Sequence, residues 1–266
     1  MREVSSTRLV SVVIPTLRED EIGAALGRIG EHLVELGDYA FEILLVDDSG
    51  ELHKRLMDEA TAAFNARFAP GLRAQRVDGP RKGKGAALRA GARASRGELV
   101  FWMDADLPVP LQNVERFLRV FDEEGADLVV AERPFDRNLS QPVRFVASRV
   151  LFALQRALVF QSRAFDDTQC GFKAFRGGLL RRIAGQQIVD GGMADIEYLY
   201  VAVRSGARAV RVAVVPNPET RASKINVKKA ITQDPLDLVR IKLRDLAGGY
   251  RENGRENGRD KGRQEG

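Results

Sequence analysis

Two short apolar runs decide the fold: Leu-Val-Ser-Val-Val-Ile at residues 9–14 and Phe-Glu-Ile-Leu-Leu-Val at residues 41–46. Both are rich in branched side chains and end in polar residues, which is typical of strands buried on both faces of a parallel sheet. Between them, apolar residues recur at helical spacing from Ile22 to Leu36, and Gly37 supplies a helix stop. The order strand, helix, strand predicts a βαβ unit.

The same alternation continues along the first half of the chain. The pattern predicts helices at residues 52–68 and 86–94 and then a strand at 98–103. A helix at 111–123 leads to a further strand at 127–131. We therefore expect an α/β fold built on a Rossmann-like parallel sheet.

The pattern loosens after residue 131, where arginines gather: Arg133, Arg137, Arg144 and Arg149. The segment 143–160 is strongly apolar yet carries three arginines, so it fits either a core helix with a solvated stripe or a helix lying at a membrane interface. The amphipathic segment 236–246 leaves the same two interpretations open. No run approaches the roughly 18 uninterrupted apolar residues of a membrane span, so no crossing of the bilayer is expected.

Length and composition favour one catalytic domain. The 266 residues, of which 44% are hydrophobic, are enough to bury one sizeable core. We place this domain at residues 9–250, between a flexible N-terminus at 1–8 and a tail at 251–266. The tail repeats Arg-Glu-Asn-Gly and is almost entirely charged, polar or glycine, so it is predicted to be disordered.

Charge, cysteine and histidine usage restrict the chemistry. The net charge of +5 suits anionic partners such as phosphates, nucleic acid or an acidic membrane surface. Cys170 is the only cysteine, which excludes an internal disulfide and favours the cytoplasm. His32 and His53 are the only histidines and have no second histidine or cysteine nearby in sequence, so neither a zinc site nor a serine-type triad is expected.

A pair of carboxylates, Asp104 and Asp106, directly follows the predicted strand at 98–103. Loops at the carboxyl ends of parallel strands gather ligands. Two carboxylates around one small residue can hold Mg²⁺ or Mn²⁺ together with substrate phosphate oxygens. The alternative is a solvated turn before Pro108, but the position after a buried strand favours a metal site.

Two further features suit a nucleotide. Asp47 and Asp48 follow the strand at 41–46, where a carboxylate could accept a hydrogen bond from a base or a ribose; a turn or a helix cap is the alternative. The loop Arg-Lys-Gly-Lys-Gly-Ala at 81–86 precedes a helix, and its cations and glycines suit phosphate. It lacks the Gly-Lys-Ser/Thr ending of a Walker loop, and a mobile basic loop remains the alternative.

Two clusters near the end of the domain carry similar ambiguity. Asp195 and Glu197 precede an apolar helical segment, so one could act as a general base and the other as its orienting partner, or both could be helix-end charges. The cationic and hydroxyl cluster of Arg221, Ser223 and Lys224 could hold a diphosphate or form a surface turn.

Several of these segments together resemble the family-two glycosyltransferases. They are Val13-Ile14-Pro15-Thr16 with Glu19, Val46-Asp47-Asp48-Ser49, Gly83-Lys84-Gly85, Asp104-Ala105-Asp106 and Asp167-Thr168-Gln169-Cys170-Gly171-Phe172-Lys173. The last segment is the most specific and is similar to the dolichyl-phosphate glucosyl- and mannosyltransferase branch. The resemblance covers approximately residues 9–250.

The resemblance implies a single GT-A domain, a Rossmann-like mixed sheet flanked by helices. It implies inverting transfer of a hexose from a UDP- or GDP-sugar to a polyprenyl phosphate, with Mg²⁺ or Mn²⁺ as cofactor. Contact with the cytoplasmic face of a membrane would then be peripheral.

Residue roles follow from the same resemblance. Nucleotide-sugar binding is implied for Pro15, Thr16, Glu19, Asp47, Asp48, Gly83, Lys84, Asp104 and Gln169. Asp104 and Asp106 would hold the metal, and Asp195 matches a position assigned to the base or to donor-sugar binding. The acceptor phosphate and pyrophosphate would be bound by Arg133, Arg144, Arg149, Arg221, Ser223 and Lys224.

Three other functions share some of these features. A GT-A enzyme with a soluble small-molecule acceptor shares every donor-side feature. A nucleotidyltransferase would also use a paired-carboxylate metal site. Nucleic-acid binding would explain the basic charge, but the chain has no recognisable reading motif and aromatic residues make up only 7% of it, so no nucleic-acid partner is expected.

Overall fold

One mixed sheet runs through the structure, a computed structural model that describes residues 8–17, 19–49, 51–134, 142–160, 165–217 and 227–250. Within these residues the sheet has seven strands, in the order β3-β2-β1-β4-β6-β5-β7. The strands are β1 Arg8–Thr16, β2 Tyr39–Asp47, β3 Leu72–Asp78, β4 Leu99–Trp102, β5 Leu128–Glu132, β6 Lys173–Arg176 and β7 Ala209–Ala213. Only β6 runs antiparallel to its neighbours.

Eight α-helices flank the sheet in the described part of the chain. They are α1 Ile22–Val34, α2 Glu51–Phe68, α3 Lys84–Ala94, α4 Asn113–Glu124, α5 Pro142–Gln155, α6 Gly177–Gln186, α7 Ala194–Arg204 and α8 Val227–Leu246, with a π-helical turn at Arg156–Phe160 after α5. Among the described helices, none combines the length and the apolar character that crossing a bilayer requires.

The central strands are buried on both faces because each face is covered by helices. Along β1, Val12 and Ile14 pack on the face covered by α1, α2 and α4, whereas Val13 packs on the opposite face. That opposite face is covered by α3, α6, α7 and α8, and its centre is the contact of Trp102 with the Tyr198 ring at 4.6 Å. Two separate cores therefore sandwich the sheet, as expected of a parallel α/β domain.

The predicted elements are confirmed with small shifts at their ends. The first strand begins at Arg8, one residue earlier than expected, and the first helix ends at Val34, ahead of the predicted stop. The predicted segment 143–160 is helical and buries Leu151, Gln155 and Val159, four residues apart, so it is a packed helix with an exposed side. Residues 1–7 and the tail at 251–266 lie outside the described residues.

Strands β3, β6 and β7 were missed from the sequence. β3 and β7 lie at the two edges of the sheet, where exposed side chains dilute the apolar pattern. β6 is only four residues long, and its first residue, Lys173, is also the last residue of the motif at 167–173. Its antiparallel insertion between β4 and β5 makes the sheet mixed.

The packing of α3 on the sheet predicts an asymmetry between two glycines. A Cβ at Gly91 of α3 would stand 2.3 Å from Val13 Cγ1 and 3.0 Å from Val46 Cγ2, whereas a Cβ at Gly27 of α1 would have nothing within 4 Å. Gly91→Ala should lower the free energy of unfolding by about 1–3 kcal/mol through overpacking. Gly27→Ala, the control, should raise it by about 0.5–1 kcal/mol because alanine favours the helix. Urea denaturation measures both, and equal stability of the two variants would contradict this packing.

Candidate active site

The acidic pairs identified in the sequence lie at one end of the sheet, where the carboxyl ends of its parallel strands meet. β1, β2 and β4 are parallel neighbours, so their carboxyl ends coincide. Asp48 N donates to Thr16 O at 3.0 Å, and Met103 N donates to Val13 O at 3.1 Å. Asp47 and Asp104 therefore lie at the same carboxyl end of the sheet, where open α/β sheets bind their ligands.

Asp48 fixes the basic loop that follows β3. Its two carboxylate oxygens accept hydrogen bonds from Arg81 N at 2.5 Å and from Gly83 N at 3.1 Å. Arg81 and Gly83 both have positive φ, at 55° and 113°, which orients these backbone N–H groups toward one carboxylate. The loop is thus held against the sheet edge. This role of Asp48 was not foreseen from the sequence.

Asp47 retains an unused acceptor. Its Oδ1 atom accepts the Ser49 backbone N–H at 2.9 Å, but Oδ2 is buried and has no hydrogen-bond partner among the described residues. A buried carboxylate oxygen without a donor costs free energy and marks a place where a ligand donor fits. Thr16, also buried, uses its hydroxyl on Val46 O at 3.2 Å. Pro15 and Glu19 are half-buried beside it in the chain.

Two lysines and two aspartates form a charge-alternating chain beneath this edge. Lys84 Nζ lies 2.8 Å from Asp104 Oδ1 and 3.9 Å from Asp195 Oδ2. Lys173 Nζ lies 2.6 Å from Asp195 Oδ1 and donates to Cys170 O at 2.6 Å. The chain Asp104–Lys84–Asp195–Lys173 joins α3, β4, β6 and α7.

Charge neighbours keep the exposed end of this chain ionised. Burial opposes the charged form of Lys84, but the carboxylates of Asp104 and Asp195 outweigh it and raise the pKa of Lys84. Burial likewise opposes ionisation of Asp104, but Lys84 holds the pKa of Asp104 below its ordinary value. Lys173 has no exposed surface, so its pairing with Asp195 is what makes its burial tolerable.

Gly171 holds Asp104 in place. A Cβ at Gly171 would stand 1.9 Å from Asp104 Oδ2, so the carboxylate rests directly on the glycine. The segment carrying Gly171 is itself anchored by Asp167, whose Oδ1 accepts Gln169 N and Cys170 N, each at 3.1 Å. The guanidinium of Arg133 binds both oxygens of Asp167, at 2.6 and 3.2 Å. The most specific sequence motif, residues 167–173, therefore forms the surface against which Asp104 packs.

Glu197 does not act as an orienting partner for Asp195, which corrects one sequence-based alternative. It is fully buried and accepts hydrogen bonds from Ile188 N, Val189 N and the Tyr250 hydroxyl, at 2.8, 2.9 and 2.7 Å. The residue that orients Asp195 is Lys173. The sequence showed it only as the end of the motif at 167–173, without a signal for its pairing partner.

The acceptor-side predictions are less complete. Arg133 is paired through its guanidinium with Asp167 and its side chain is 34% exposed, and Gln169, two residues after Asp167, is half-buried. Arg149 is exposed on α5, and the side chain of Arg144 on the same helix is not described. Arg221, Ser223 and Lys224, like Arg137, lie outside the described residues. Their proposed contacts with phosphate stay predictions.

The acidic pair fits a hard divalent cation. Asp104 is held at the strand end by Lys84 and Gly171, and Asp106, two residues later, is exposed. Within the described residues no group of three or more histidine, cysteine or acidic side chains could enclose a metal ion. Mg²⁺ and Mn²⁺ suit such a site because they bind one or two carboxylates and complete their shell with substrate phosphates and water. His32 Nε2 lies 3.1 Å from Glu115 Oε2, and His53 Nε2 lies 3.3 Å from Asp20 Oδ1.

Comparison with known proteins identifies the family of this chain. Residues 11–181 match the model of the family described as Glycosyl transferase family 2. The dolichyl-phosphate beta-glucosyltransferase of Dictyostelium discoideum is 25% identical over 255 residues, which cover 91% of this chain and 76% of that protein. An undecaprenyl-phosphate 4-deoxy-4-formamido-L-arabinose transferase of Pseudomonas syringae is 30% identical over 223 residues, covering 80% of this chain and 58% of that protein.

A solved structure shows the same fold. Glucosyl-3-phosphoglycerate synthase from Mycobacterium tuberculosis, in complex with Mn²⁺, UDP-glucose and phosphoglyceric acid, superposes with a TM-score of 0.62 at 20% identity, covering 91% of this chain and 80% of that one. The fold is GT-A, and the chain belongs to glycosyl transferase family 2. It is a nucleotide-sugar-dependent glycosyltransferase.

The contact of Gly171 with Asp104 predicts a loss of activity larger than the loss of stability. In Gly171→Ala the new methyl group would push the Asp104 carboxylate away from Lys84. We expect nucleoside diphosphate release to fall at least about tenfold, since displacement of a positioning group by about 1 Å costs this much or more. Gly178→Ala is the control, because a Cβ there meets nothing within 4 Å. A Gly171→Ala enzyme with wild-type turnover would show that the contact of Gly171 with Asp104 does not position this carboxylate for catalysis.

The Arg133–Asp167 pair predicts part of the acid sensitivity of the fold. Burial opposes ionisation of Asp167, but the bonds from Arg133 lower the pKa of Asp167 below its ordinary value. A carboxyl with a depressed folded-state pKa stabilises the fold above its unfolded pKa, and that stability is lost as pH falls through the folded pKa. Asp167→Asn should therefore show a shallower decline of unfolding free energy below about pH 4.

Urea titrations across the acidic range would measure this slope. Asp166→Asn is the matched control, because Asp166 is the adjacent residue and its side chain is 67% exposed in its ion pair with Arg211. Exposed pairs contribute little to stability. If the unfolding free energy of wild type and of Asp167→Asn declined equally steeply with falling pH, this pair would not account for the acid sensitivity of the fold.

Proposed function

We propose that this enzyme transfers a hexose from a UDP- or GDP-sugar to a polyprenyl phosphate, with inversion at the anomeric carbon. The observation that carries the donor side is the placement of Asp104, Asp106 and Lys84 at the carboxyl end of the sheet, with the unused Oδ2 atom of Asp47 at the end of β2, two strands away. The acceptor rests on the curated relatives, whose names specify dolichyl and undecaprenyl phosphates. The likeness to them spans most of this chain.

The donor nucleotide would lie along the ends of β1 and β2. Asp47 Oδ2 would accept a hydrogen bond from the base or a ribose hydroxyl, which satisfies the buried oxygen. Pro15, Thr16, Glu19 and Asp48 would line the same region. The loop with Gly83 is held by Asp48, and Lys84, which follows it, would approach the diphosphate.

Asp104 and Asp106 would hold Mg²⁺ or Mn²⁺, and the bound ion supplies positive charge that stabilises a departing diphosphate. Lys84 is the protein's own cation at that position. It is already charged and sits 2.8 Å from Asp104, so it would approach the donor phosphates without a change of protonation.

Transfer would proceed by direct displacement. An acceptor phosphate oxygen forms the new bond to the anomeric carbon while the bond from that carbon to the diphosphate breaks and its electron pair leaves with the nucleoside diphosphate. A phosphate monoester is already largely ionised near neutral pH, so no strong base is needed to remove a proton. Asp195, held between Lys84 and Lys173, would therefore bind and orient the donor sugar.

A lipid acceptor places the reaction at a membrane. We propose that the enzyme works in the cytoplasm and contacts the membrane peripherally; relatives that act on lipid-linked phosphates support the membrane contact. Arg133, Arg144 and Arg149 would supply cations for the acceptor phosphate, together with Arg221, Ser223 and Lys224 of the late basic loop.

The test is nucleoside diphosphate release from a panel of UDP- and GDP-sugars with Mn²⁺ or Mg²⁺, with and without a polyprenyl phosphate. We expect release that depends on the metal and on the lipid phosphate, and chromatography of a labelled glycolipid product. Stimulation only by water-soluble phosphorylated acceptors such as phosphoglyceric acid would overturn the lipid acceptor and retain the donor side. Pyrophosphate release from a nucleoside triphosphate would instead identify a nucleotidyltransferase.

The metal assignment predicts the effect of one substitution. Asp106→Asn should reduce turnover at least about a hundredfold, because stabilisation of the leaving group by the ion is lost. Asp106 is exposed, so the melting temperature should change little. Asp38→Asn is the control, since Asp38 is exposed and precedes β2 at the opposite edge of the sheet. A fully active Asp106→Asn enzyme would refute the assignment.

A further inference from the structure

An apolar stripe runs along the outer surface of α8. Leu236, Val239, Leu243 and Leu246 are exposed by 58%, 41%, 59% and 69%. They recur at spacings of three and four residues, so they share one side of the helix. We call these four residues the outer stripe. Leu238 and Ile241 are fully buried on the opposite side, where they join the core over the sheet.

A helix that already buries one apolar face normally presents polar residues on the other. α8 instead has two apolar faces, and only the inner one is covered within the described residues. α5 packs against this helix, and its Val150 is also exposed, by 54%. Exposed apolar surface collected on one helix is typical of an interaction site, whereas isolated apolar residues are not.

The charges beside the outer stripe are positive. Arg240 lies on one flank with its side chain 59% exposed, although one guanidinium nitrogen is 3.3 Å from the buried Asp237 carboxylate. Lys242, half-buried, lies on the other flank. The carboxylates of Asp237 and Asp245 belong to the inner side and are buried. The surface that faces outward is therefore an apolar strip between cations, the arrangement of helices that lie in the interface of an anionic membrane.

A second copy of the chain fits this surface less well. Leu236, Val239, Leu243 and Leu246 have the spacing of a coiled-coil seam, and the flanking positions of such a seam contact the partner helix. Two copies of α8 would bring Arg240 and Lys242 against the same cations of the partner. Like charges at these positions oppose pairing, whereas anionic lipid headgroups would neutralise them.

The inner side of α8, opposite the outer stripe, contacts the elements that carry the active site. The Asp237 carboxylate lies 3.6 Å from the Cβ position of Gly191, in the loop that leads to Asp195. Tyr250, just after α8, donates its hydroxyl to Glu197 of α7 at 2.7 Å, and Tyr200 of α7 donates to Asp245. α7 carries Asp195 in its first turn. A surface that held α8 would therefore also fix the orientation of the catalytic edge.

We propose that the outer stripe of α8, with Arg240 and Lys242, is a docking surface for the anionic face of a lipid bilayer, which holds the site at the membrane where a lipid-linked acceptor resides. The purpose of this docking rests on the proposed function, whereas the evidence for the surface is the exposure of the residues of α8.

Co-sedimentation of the full chain with phosphatidylglycerol–phosphatidylcholine vesicles tests this surface without donor or acceptor. We expect binding to anionic vesicles that weakens at high salt and is much weaker on pure phosphatidylcholine. The double variant Leu243→Gln/Leu246→Gln should lower the partition coefficient at least about tenfold. Arg240→Gln and Lys242→Gln should each lower it about fivefold on anionic vesicles.

Val34→Gln is the matched control, because Val34 is 52% exposed on α1, which covers the other face of the sheet. Far-UV circular dichroism and melting should be unchanged in the leucine, Lys242→Gln and Val34→Gln variants. Arg240→Gln also removes the ion pair with the buried Asp237 carboxylate and should melt at a somewhat lower temperature. Vesicle binding by the leucine variant equal to that of wild type, or no wild-type binding to anionic vesicles, would overturn the proposal. So would a wild-type dimer that the leucine substitutions dissociate in sedimentation equilibrium.

The two proposals fail separately. Vesicle binding that requires the outer stripe, without glycosyl transfer to any polyprenyl phosphate, would reject the proposed acceptor and leave the docking surface intact. Transfer to a short, water-soluble polyprenyl phosphate by a leucine variant that no longer binds vesicles would support both.

Discussion

The site depends on the charge-alternating chain Asp104–Lys84–Asp195–Lys173. Each charge in it has an opposite charge within 4 Å. Without this pairing the burial of Lys173 and Asp195 would not be tolerable, whereas Lys84 and Asp104 are only half-buried. The chain also joins four elements that are far apart in sequence, α3, β4, β6 and α7. Breaking one link would leave a buried charge uncompensated and release the carboxylate that follows the central strand. Structure and function therefore depend on the same contacts.

The antiparallel strand β6 makes this arrangement possible. Its insertion between β4 and β5 brings Lys173 beneath Asp195 and sets Gly171 against Asp104. Asp167 and Arg133 fix the preceding turn. One short segment thus provides the glycine that makes room for the acidic pair and the lysine that orients the acid of α7. This explains in physical terms why residues 167–173 gave the most specific resemblance to a family.

Helices α7 and α8 connect the active site to the surface that we propose to contact a membrane. α7 begins at the active site and is tied through Tyr200 and Glu197 to α8, whose outer stripe is exposed. An enzyme with a lipid-linked acceptor must match the height of its site to that of the headgroup. A short series of buried hydrogen bonds between these two helices would keep that height constant.

The sequence by itself determined the parallel half of the sheet, the acidic pairs after its strands and the family, because strand periodicity and the residues that follow a strand are local properties. The mixed order of the sheet, the pairing of Lys173 with Asp195, the structural use of Glu197 and Asp48, and the exposure of the stripe on α8 were decided only by tertiary structure. Most of these features join residues far apart in the chain, such as Lys173 with Asp195, 22 positions apart, and Glu197 with Tyr250, 53 positions apart, and the rest depend on which side of a helix the core covers. Pattern and spacing contain no information about such contacts, since burial and partners arise only when the elements pack.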